Sequence, residues 1–305
     1  MAVIFERIAI LGAGLIGASI ARAAREQGAA NAIALYDVDA GVRARARDLA
    51  LGEVADDPAA AVADADLIVL AAPVGAMGEA MRAAAPGLKQ GAIVTDVGSV
   101  KGAVVTAVMQ HLPAGAFFVP GHPIAGTEHS GPDAGFATLF KGRWHILTPL
   151  PDPRADYAGA VDKLEAFWRT LGAEVERMDP ARHDVVLAVT SHLPQLLAFN
   201  IVAMAEDLAR VTESEVVKYS ASGFRDFTRI AASDPTMWRD VFLTNRDAVL
   251  EVLGRFSEDL AALQRAIRWG DGQQLYDLFD RARRMRREVI EAGQDIPAPN
   301  WGREN

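Results

Sequence analysis

Cysteine is absent from all 305 residues of the chain. The protein therefore cannot form disulfides, thiolate metal sites or a cysteine nucleophile, and we expect no metal centre in it. Basic residues are also in deficit, because 31 lysines and arginines face 40 aspartates and glutamates and leave a formal net charge of −9. This acidic balance argues against a nucleic-acid partner. An anionic small-molecule substrate would have to find a locally basic pocket.

Long apolar runs and targeting signals are missing as well. No uninterrupted apolar stretch is long enough for a bilayer-spanning helix, which argues against a membrane partner. No cationic signal region precedes the first predicted strand. Hydrophobic residues make up 50% and charged residues 23% of the chain, as in soluble globular proteins. The sequence therefore predicts a cytoplasmic protein of one or two domains.

The first positive feature is a glycine-rich turn near the N-terminus. Residues 7–11 are mostly apolar and predict a buried strand, and residues 15–27 predict a helix. Gly12, Gly14 and Gly17 stand at their junction in the pattern G-x-G-x-x-G. These glycines would allow a tight turn, close approach of a pyrophosphate and close packing of the helix on the strand. The free N–H groups at the helix N-terminus would then bind the phosphates.

An acidic residue follows a second predicted strand and supports dinucleotide binding. Asp37 comes about 25 positions after the first glycine, and its carboxylate would accept from a free ribose 2′-hydroxyl and repel a 2′-phosphate. This favours NAD over NADP, although Arg43, Arg45 and Arg47 follow closely and leave phosphate binding open. An ordinary strand–turn–helix with a capping aspartate is the alternative. The predicted cofactor-binding residues are Gly12, Gly14, Leu15, Ile16, Gly17, Asp37, Ala72, Pro73 and Ser99.

The order of predicted elements indicates two domains. Strands and helices alternate up to about residue 178, which predicts an α/β fold with a doubly wound, Rossmann-type dinucleotide-binding domain over residues 1–178. Residues 179–305 would form an all-α domain dominated by a long helix over residues 236–269. Further strands are predicted at residues 67–71, 92–96, 116–119, 144–148 and 174–178. Polar segments follow several of these strand ends, where ligands bind in such folds.

The residue best suited to acid–base chemistry is His122, in the segment GHPIAGTE. An imidazole with its ordinary pKa of about 6.5 can take a proton from a hydroxyl near neutral pH. Pro123 and the flanking glycines suit a rigid, exposed loop. We therefore predict that His122 is a catalytic base, and a loop histidine that only caps backbone or contacts solvent is the alternative.

Ser99 and Lys101 follow another predicted strand, in the segment DVGSVK. Ser99 is placed to cap the helix that comes next. Its hydroxyl could also donate a hydrogen bond to a substrate hydroxyl or to His122. Lys101 is interpreted only as a surface charge.

Two segments of the helical part could line a pocket. SHLPQ, residues 191–195, lies in a long apolar stretch as either a buried hydrogen-bonded cluster or a pocket wall. Further on, Arg225 and Arg229 are four positions apart and would share a helix face. A guanidinium binds both oxygens of a carboxylate, so these arginines predict a carboxylate site. A surface ladder of ion pairs with nearby aspartates is the alternative.

Five segments together resemble the prephenate/arogenate (cyclohexadienyl) dehydrogenase family. They are GAGLIG, TDVGSVK, GHPIAGTE, SHLPQ and FRDFTRIAASDPTMWRDVFLTN, in this order along the chain. GHPIAGTE and the arginine-rich block are more specific than the glycine pattern. The resemblance implies oxidative decarboxylation of prephenate or arogenate in tyrosine biosynthesis. It also implies a homodimer joined through the helical domain.

By position, the resemblance implies that His122 is the catalytic histidine and that Ser99 orients both it and the substrate hydroxyl. It implies that Arg229 binds the ring carboxylate. Residues that would shape or support the substrate pocket are Thr127, Glu128, Ser191, His192, Arg225, Asp226 and Trp238. Gln195 would also contact substrate, but it is a departure, because some prephenate-preferring members have a histidine there. Glutamine is neutral at every pH and both donates and accepts, so the choice between prephenate and arogenate stays open.

Two other functions remain open on the sequence alone. One is another hydride-transfer enzyme with the same two-domain plan, such as a β-hydroxyacid dehydrogenase or an imine reductase. Such enzymes commonly use a lysine or other donor from the helical domain, whereas the best base here lies in the first domain. The other is a non-enzymatic NAD-binding sensor, which would need neither His122 nor the arginine cluster.

Overall fold

A six-stranded parallel sheet forms the centre of the first part of the chain. The computed structural model describes residues 3–127, 129–209 and 222–291. Its main sheet has the strand order β3-β2-β1-β4-β5-β6. The order reverses between β1 and β4, which creates the switch point where ligands bind in open α/β sheets. The strands are β1 Phe5–Leu11, β2 Ala30–Tyr36, β3 Glu53–Val54, β4 Leu67–Leu70, β5 Ile93–Asp96 and β6 Phe117–Phe118.

Helices cover both faces of this sheet, so its strands are apolar on both sides. Along β1, Ile8 and Ile10 point into one core cluster, whereas Ala9 and Leu11 point into the other. Helices α1 and α6 pack in the first cluster, and α3, α4 and α5 pack in the second. The helices are α1 Leu15–Glu26, α2 Ala40–Asp48, α3 Pro58–Val62, α4 Met77–Ala84, α5 Gly102–Met109 and α6 Tyr157–Thr170.

A second, three-stranded sheet holds the segment that carries His122. Its strands are β7 Gly121–Pro123, β8 Trp144–Leu147 and β9 Glu174–Arg177, and β7 runs antiparallel to β8. The prediction that these segments continue the doubly wound sheet was wrong. The expected strand at residues 116–119 ends at Phe118, and the chain passes Pro120, which has no N–H to donate to a ladder, before β7 begins.

After residue 179 the described residues form helices joined by short turns. The helices are α7 Pro180–Leu187, α8 Leu193–Ala209, α9 Ser222–Thr228, α10 Pro235–Thr244, α11 Arg246–Trp269 and α12 Gly272–Glu291. A π-helical turn, Ala188–His192, joins α7 to α8. By compactness the chain divides into the units Met1–Val249 and Leu250–Asn305. The first unit therefore contains the main sheet together with the helices from α7 to α10.

The long helix expected over residues 236–269 is two helices. It is interrupted at Asn245, whose backbone leaves the helical region with φ −102° and ψ 31°. The side-chain amide of Asn245 donates to the carbonyl of Asp184 at 2.9 Å and is 3.0 Å from Nδ1 of His192. The break therefore turns a polar side chain into the buried interior, where it has two partners.

One helical stretch is more apolar than expected from the sequence. From Pro180 to Asp207 the chain forms a helix long and apolar enough, by length and composition, to cross a membrane, with a mean hydropathy of 1.6 in its most apolar window. The expectation of no such segment failed because polar residues interrupt the sequence run without interrupting the helix. Two of these polar residues, His183 and Asp184, are buried and are hydrogen-bonded within the protein.

Candidate active site

The glycine-rich turn after β1 has the geometry of a phosphate cradle. Gly12 has φ +111°, and a Cβ there would lie 2.4 Å from the carbonyl oxygen of Ala71. A Cβ on Gly17 would lie 1.9 Å from the carbonyl oxygen of Gly12, so helix and turn pack too closely for any side chain. By contrast, a Cβ on Gly14 would meet nothing within 4 Å. The open space above Gly14, at the uncapped N-terminus of α1, fits the diphosphate of a dinucleotide.

Asp37 follows the end of β2 and is hydrogen-bonded to the glycine-rich turn after β1. Its carboxylate accepts from the backbone N–H of Ala13 at 2.8 Å and from that of Asp39 at 3.0 Å. The nearby arginines are engaged elsewhere. Arg43 donates to the carbonyl of Asp37, Arg45 pairs with Asp133, and Arg47 pairs with Asp56.

The other predicted cofactor residues flank this cradle. Leu15 and Ile16 begin α1 and are half-buried, and Ala72 and Pro73 follow the carboxyl end of β4 with partial or full exposure. Ser99 follows β5 and is half-buried. These positions lie along the carboxyl edge of the sheet, on both sides of the switch point.

His122 is buried in strand β7. The prediction that it lies on an exposed loop was wrong. Its Nδ1 lies 2.9 Å from Nε2 of His183, and Nδ1 of His183 lies 2.9 Å from Oδ1 of Asp184. The three side chains therefore form a linear hydrogen-bonded series, named here the His122–His183–Asp184 relay. His183 is fully buried and Asp184 is 9% exposed.

Asp184 also caps α5. Its carboxylate accepts from the backbone N–H of Lys101 at 2.7 Å and from that of Gly102 at 2.8 Å. The expected cap by Ser99 was wrong, because the N-cap position is Lys101 and the capping carboxylate comes from α7. The helix N-terminus has positive electrostatic character, so it holds Asp184 in its charged form.

Lys101 is fully buried. The interpretation of Lys101 as a surface charge was therefore wrong. Its ammonium forms an ion pair with Asp96 at the end of β5 and donates to the carbonyl of Gly121 at 2.6 Å. Asp96 in turn accepts from the N–H of Gly121 at 3.1 Å. Because Gly121 precedes His122 in β7, this pair holds the histidine beside the carboxyl end of β5.

The environment of the relay lowers the pKa of its histidines. Burial, followed by the influence of His183 and Lys101, lowers the pKa of His122 well below 6.5. Burial also lowers the pKa of His183, although the hydrogen bond to Asp184 partly offsets this. For Asp184, burial alone would raise the pKa, but hydrogen bonds from His183 and two backbone N–H groups lower it. At neutral pH the relay therefore contains two neutral imidazoles and one carboxylate.

The SHLPQ segment forms a buried cluster that borders this site. Ser191 is half-buried, and His192 is fully buried in the π-helical turn, a distortion frequent at functional sites. Burial lowers the pKa of His192 to about 4. Gln195 is buried and donates to the carbonyl of Ile230 at 2.8 Å. Pro194 does not end the helix that runs from Pro180 to Asp207, and the π-helical turn Ala188–His192 directly precedes it.

One buried donor in this cluster, Nε1 of Trp238, has no hydrogen-bond partner among the described residues. Its ring is in edge contact with that of His192, with centroids 6.1 Å apart. Asn245 donates to Nδ1 of His192, so Nε2 of His192 carries the proton, and the ring also has a hydrogen bond to the backbone of Ser99. Buried polar groups are normally paired, and the Trp238 donor therefore marks a place where a polar ligand can bind.

The predicted carboxylate site is only partly formed. Arg225 and Asp226 lie on α9, Arg229 begins the 3₁₀ turn that follows, and all three are exposed. Thr127 is exposed and accepts from the N–H of His129 at 3.2 Å. Glu128 lies outside the described residues.

The relay partners His183 and Asp184, and Asn245 beside them, were not predicted from the sequence. A signal for the first two was present, because the adjacent pair His183 and Asp184 is followed by the apolar run VVLAV. Two neighbouring titratable residues that a buried helix retains are candidates for a functional site. Asn245 had no such signal, since its role depends on where the helix breaks.

A nucleotide-binding sheet with an open phosphate cradle and a buried histidine at its carboxyl edge defines a nucleotide-dependent dehydrogenase. Family models support this class and make it specific. The model described as "Prephenate dehydrogenase, nucleotide-binding domain" matches residues 20–177, and that described as "Prephenate dehydrogenase, dimerization domain" matches residues 179–281. The chain belongs to the prephenate dehydrogenase family.

Individual proteins give the same result. The chain is 43% identical to the cyclohexadienyl dehydrogenase of Zymomonas mobilis, over 93% of this chain and 96% of that protein. Its structure is similar to prephenate dehydrogenase from Aquifex aeolicus in complex with hydroxyphenyl propionate and NAD+, with a TM-score of 0.85 and 33% identity over 93% and 98% of the two chains. It is also similar to Synechocystis arogenate dehydrogenase, with a TM-score of 0.76 and 27% identity, over 93% of this chain and 99% of that chain.

Proposed function

We propose that the protein catalyses the NAD-dependent oxidative decarboxylation of prephenate, arogenate or both, giving 4-hydroxyphenylpyruvate or tyrosine. The observation that carries this proposal is the His122–His183–Asp184 relay beside the carboxyl end of β5, because it supplies a neutral base where the substrate hydroxyl must lose a proton. The names of the similar proteins support both substrates.

NAD is the cofactor that fits the cradle. Gly12, Gly14 and Gly17 would hold the diphosphate, with Leu15, Ile16, Ala72, Pro73 and Ser99 along the cofactor's path. Asp37 stands where a carboxylate accepts from a ribose hydroxyl. Arg43, Arg45 and Arg47 pair with oxygens of the protein, and a 2′-phosphate would have to displace these partners to bind them. When bound, NAD accepts the hydride from C4 of the substrate ring.

His122 performs the proton chemistry in this proposal. Its Nε2 takes the proton of the C4 hydroxyl as C4 loses hydride, so that the carbon–oxygen bond becomes a carbonyl. The bond between C1 and its carboxylate then breaks, CO2 leaves, and the electron pair makes the ring aromatic with negative charge on the oxygen. The proton on His122 returns to that oxygen, which gives a neutral phenol. Ser99 orients the hydroxyl toward His122.

Substrate recognition would use the arginine-rich segment and the SHLPQ cluster. Arg229 would bind the ring carboxylate, assisted by Arg225, Asp226, Thr127 and Glu128. The unpartnered donor of Trp238 suits an oxygen of the substrate side chain, with Ser191, His192 and Gln195 beside it. Gln195 is neutral, so it can accept from the ammonium of arogenate or donate to the carbonyl of prephenate.

The wider organisation follows the same proposal. Residues 1–178 would be the dinucleotide-binding domain, and residues 179–305 would provide substrate contacts and dimerisation. The family description of a dimerization domain over residues 179–281 supports a homodimer formed through the helices. The expected location is the cytoplasm.

Spectrophotometric detection of reduced cofactor tests the proposal. Purified protein is assayed with prephenate and arogenate in parallel, each with NAD and with NADP. We expect turnover of at least one substrate, with a higher kcat/KM for NAD. Protein that binds NAD but turns over neither substrate would refute the proposed activity.

A further inference from the structure

We propose that His183 and Asp184 are positioning residues that fix His122 in one tautomer and offset its charge while it holds the substrate proton. This inference rests on the proposed function, because it concerns the base of that reaction. It goes further because it assigns a task to two residues on α7 that were not predicted as site residues from the sequence. The supporting observations are the order of donors and acceptors in the relay and its burial.

The direction of the hydrogen bonds follows from Asp184. Its carboxylate can only accept, and it is charged because it accepts from two backbone N–H groups and from His183. Nδ1 of His183 must therefore carry a proton, which leaves the lone pair on its Nε2. Nδ1 of His122 must then donate to that lone pair, so Nε2 of His122 keeps a lone pair of its own. The tautomer that can accept a substrate proton is thus set from Asp184.

The charge on a protonated His122 also requires a partner. Protonation places an imidazolium where burial, and then His183, Lys101, His145 and His192, all disfavour a positive charge. Among the described residues, the neighbouring Asp96 carboxylate is already paired with Lys101. Asp184 is the carboxylate that hydrogen bonds connect to His122, and it stabilises the imidazolium by acting through His183. Because the proton returns to the product oxygen, the relay needs no exit to solvent.

The relay is held rigidly from several elements. Asp184 is fixed by the N-terminus of α5, and its backbone carbonyl accepts from Asn245. The rings of His122 and His183 meet edge to face, with centroids 5.1 Å apart and planes at 67°. Such restraint is what a base needs to face one reacting atom throughout turnover.

Two substitutions at one position separate positioning from packing. His183→Phe keeps the ring but removes the acceptor for His122, and we expect kcat to fall about 10–100-fold, part of the usual contribution of a general base, with little change in KM. His183→Gln can place an amide oxygen near the former Nε2, and we expect it to recover most of the kcat lost. A packing role predicts the reverse order. His111→Phe, outside the relay, controls for loss of a histidine, and NAD affinity checks the fold of each variant.

A measurement without substrate keeps the two proposals distinguishable. Nitrogen-15 NMR of histidine-labelled protein reports which ring nitrogen carries the proton. We expect His122 to be protonated at Nδ1 in the wild type and in His183→Gln, and to shift toward Nε2 in His183→Phe. The proposal would be wrong if His122 kept the Nδ1 proton in His183→Phe, or if kcat of that variant stayed within about twofold of wild type. Absence of turnover by wild-type protein would instead refute only the proposed activity.

Discussion

Lys101 and Asp96 form a fully buried ion pair that hydrogen-bonds to both backbone groups of Gly121. The Lys101 ammonium donates to the carbonyl of Gly121, and the Asp96 carboxylate accepts from its N–H. A buried charge pair is tolerated when further hydrogen bonds support both charges, and here Gly121 bonds to both groups while the N–H of Gly98 also donates to Asp96. The pair therefore sets the position of β7, and with it the backbone of His122, relative to the end of β5.

Lys101→Met is expected to destabilise the protein strongly, because it leaves the Asp96 carboxylate buried without its cation. Removing one partner of a buried pair typically costs about 3–5 kcal/mol. Lys89→Met is the matched control, since its pair with Asp66 is partly exposed and is worth at most about 1 kcal/mol. Urea unfolding of both variants measures the difference. Equal stabilities would show that the Lys101 pair does not secure β7.

His122→Asn is expected to remove the base without removing the cofactor site. We expect kcat to fall by roughly 10²–10⁴, the usual contribution of a general base. NAD affinity should stay within about twofold of wild type, since the cradle lies on β1 and α1. Stopped-flow turnover and fluorescence titration with NAD give the two quantities. Near-normal turnover would exclude His122 as the base.

The acidic limb of the pH–rate profile is expected below the ordinary histidine range. Burial, followed by the influence of His183 and Lys101, lowers the pKa of His122 well below 6.5. The neutral, base-competent form therefore persists at pH values where an exposed histidine is already protonated. We expect kcat/KM to remain level as the pH falls from neutrality through 6.5, and to decline only below it. A decline centred at or above 6.5 would contradict this environment for His122.

Local features of the site could be predicted from the sequence, and long-range ones could not. The three glycines and Asp37 belong to one strand–turn–helix–strand unit, so their spacing determines their geometry. His122 and His183 are separated by 61 positions, and no local pattern indicates that their rings meet. The same limit applies to Lys101, whose burial depends on β7 packing against the end of β5. The pKa of His122 was overestimated for this reason, because its exposure was inferred from the flanking glycines.

His145 is expected to make the fold less stable in acid. Its ring is buried and stacks on Trp168 with centroids 3.8 Å apart, and neither ring nitrogen has a partner among the described residues. Burial and then Lys101 lower its pKa well below 6.5. Between that lowered pKa and about 6.5 the unfolded chain binds a proton that the folded chain does not, so stability falls as the pH decreases.

His145→Phe keeps the ring stack and removes this titration. We expect its free energy of unfolding to fall less steeply between pH 7 and pH 5 than that of wild type, by up to about 1.4 kcal/mol per pH unit. Urea unfolding at a series of pH values gives both curves. Parallel curves would mean that His145 is protonated equally in the folded and unfolded states.

Arg229→Ala tests whether the exposed arginine at the start of the 3₁₀ turn belongs to the substrate site. A charge-assisted contact with the ring carboxylate would be made in the ground state and the transition state alike. Its loss should therefore raise KM while kcat changes little, because uniform binding is removed. Arg239→Ala is the matched control, since Arg239 is an exposed arginine on α10 that pairs with the neighbouring Asp240. Steady-state kinetics with each substrate measure both parameters. A KM for Arg229→Ala equal to that of Arg239→Ala would place the carboxylate elsewhere, and Arg225, four positions earlier on α9, would be the next arginine to replace.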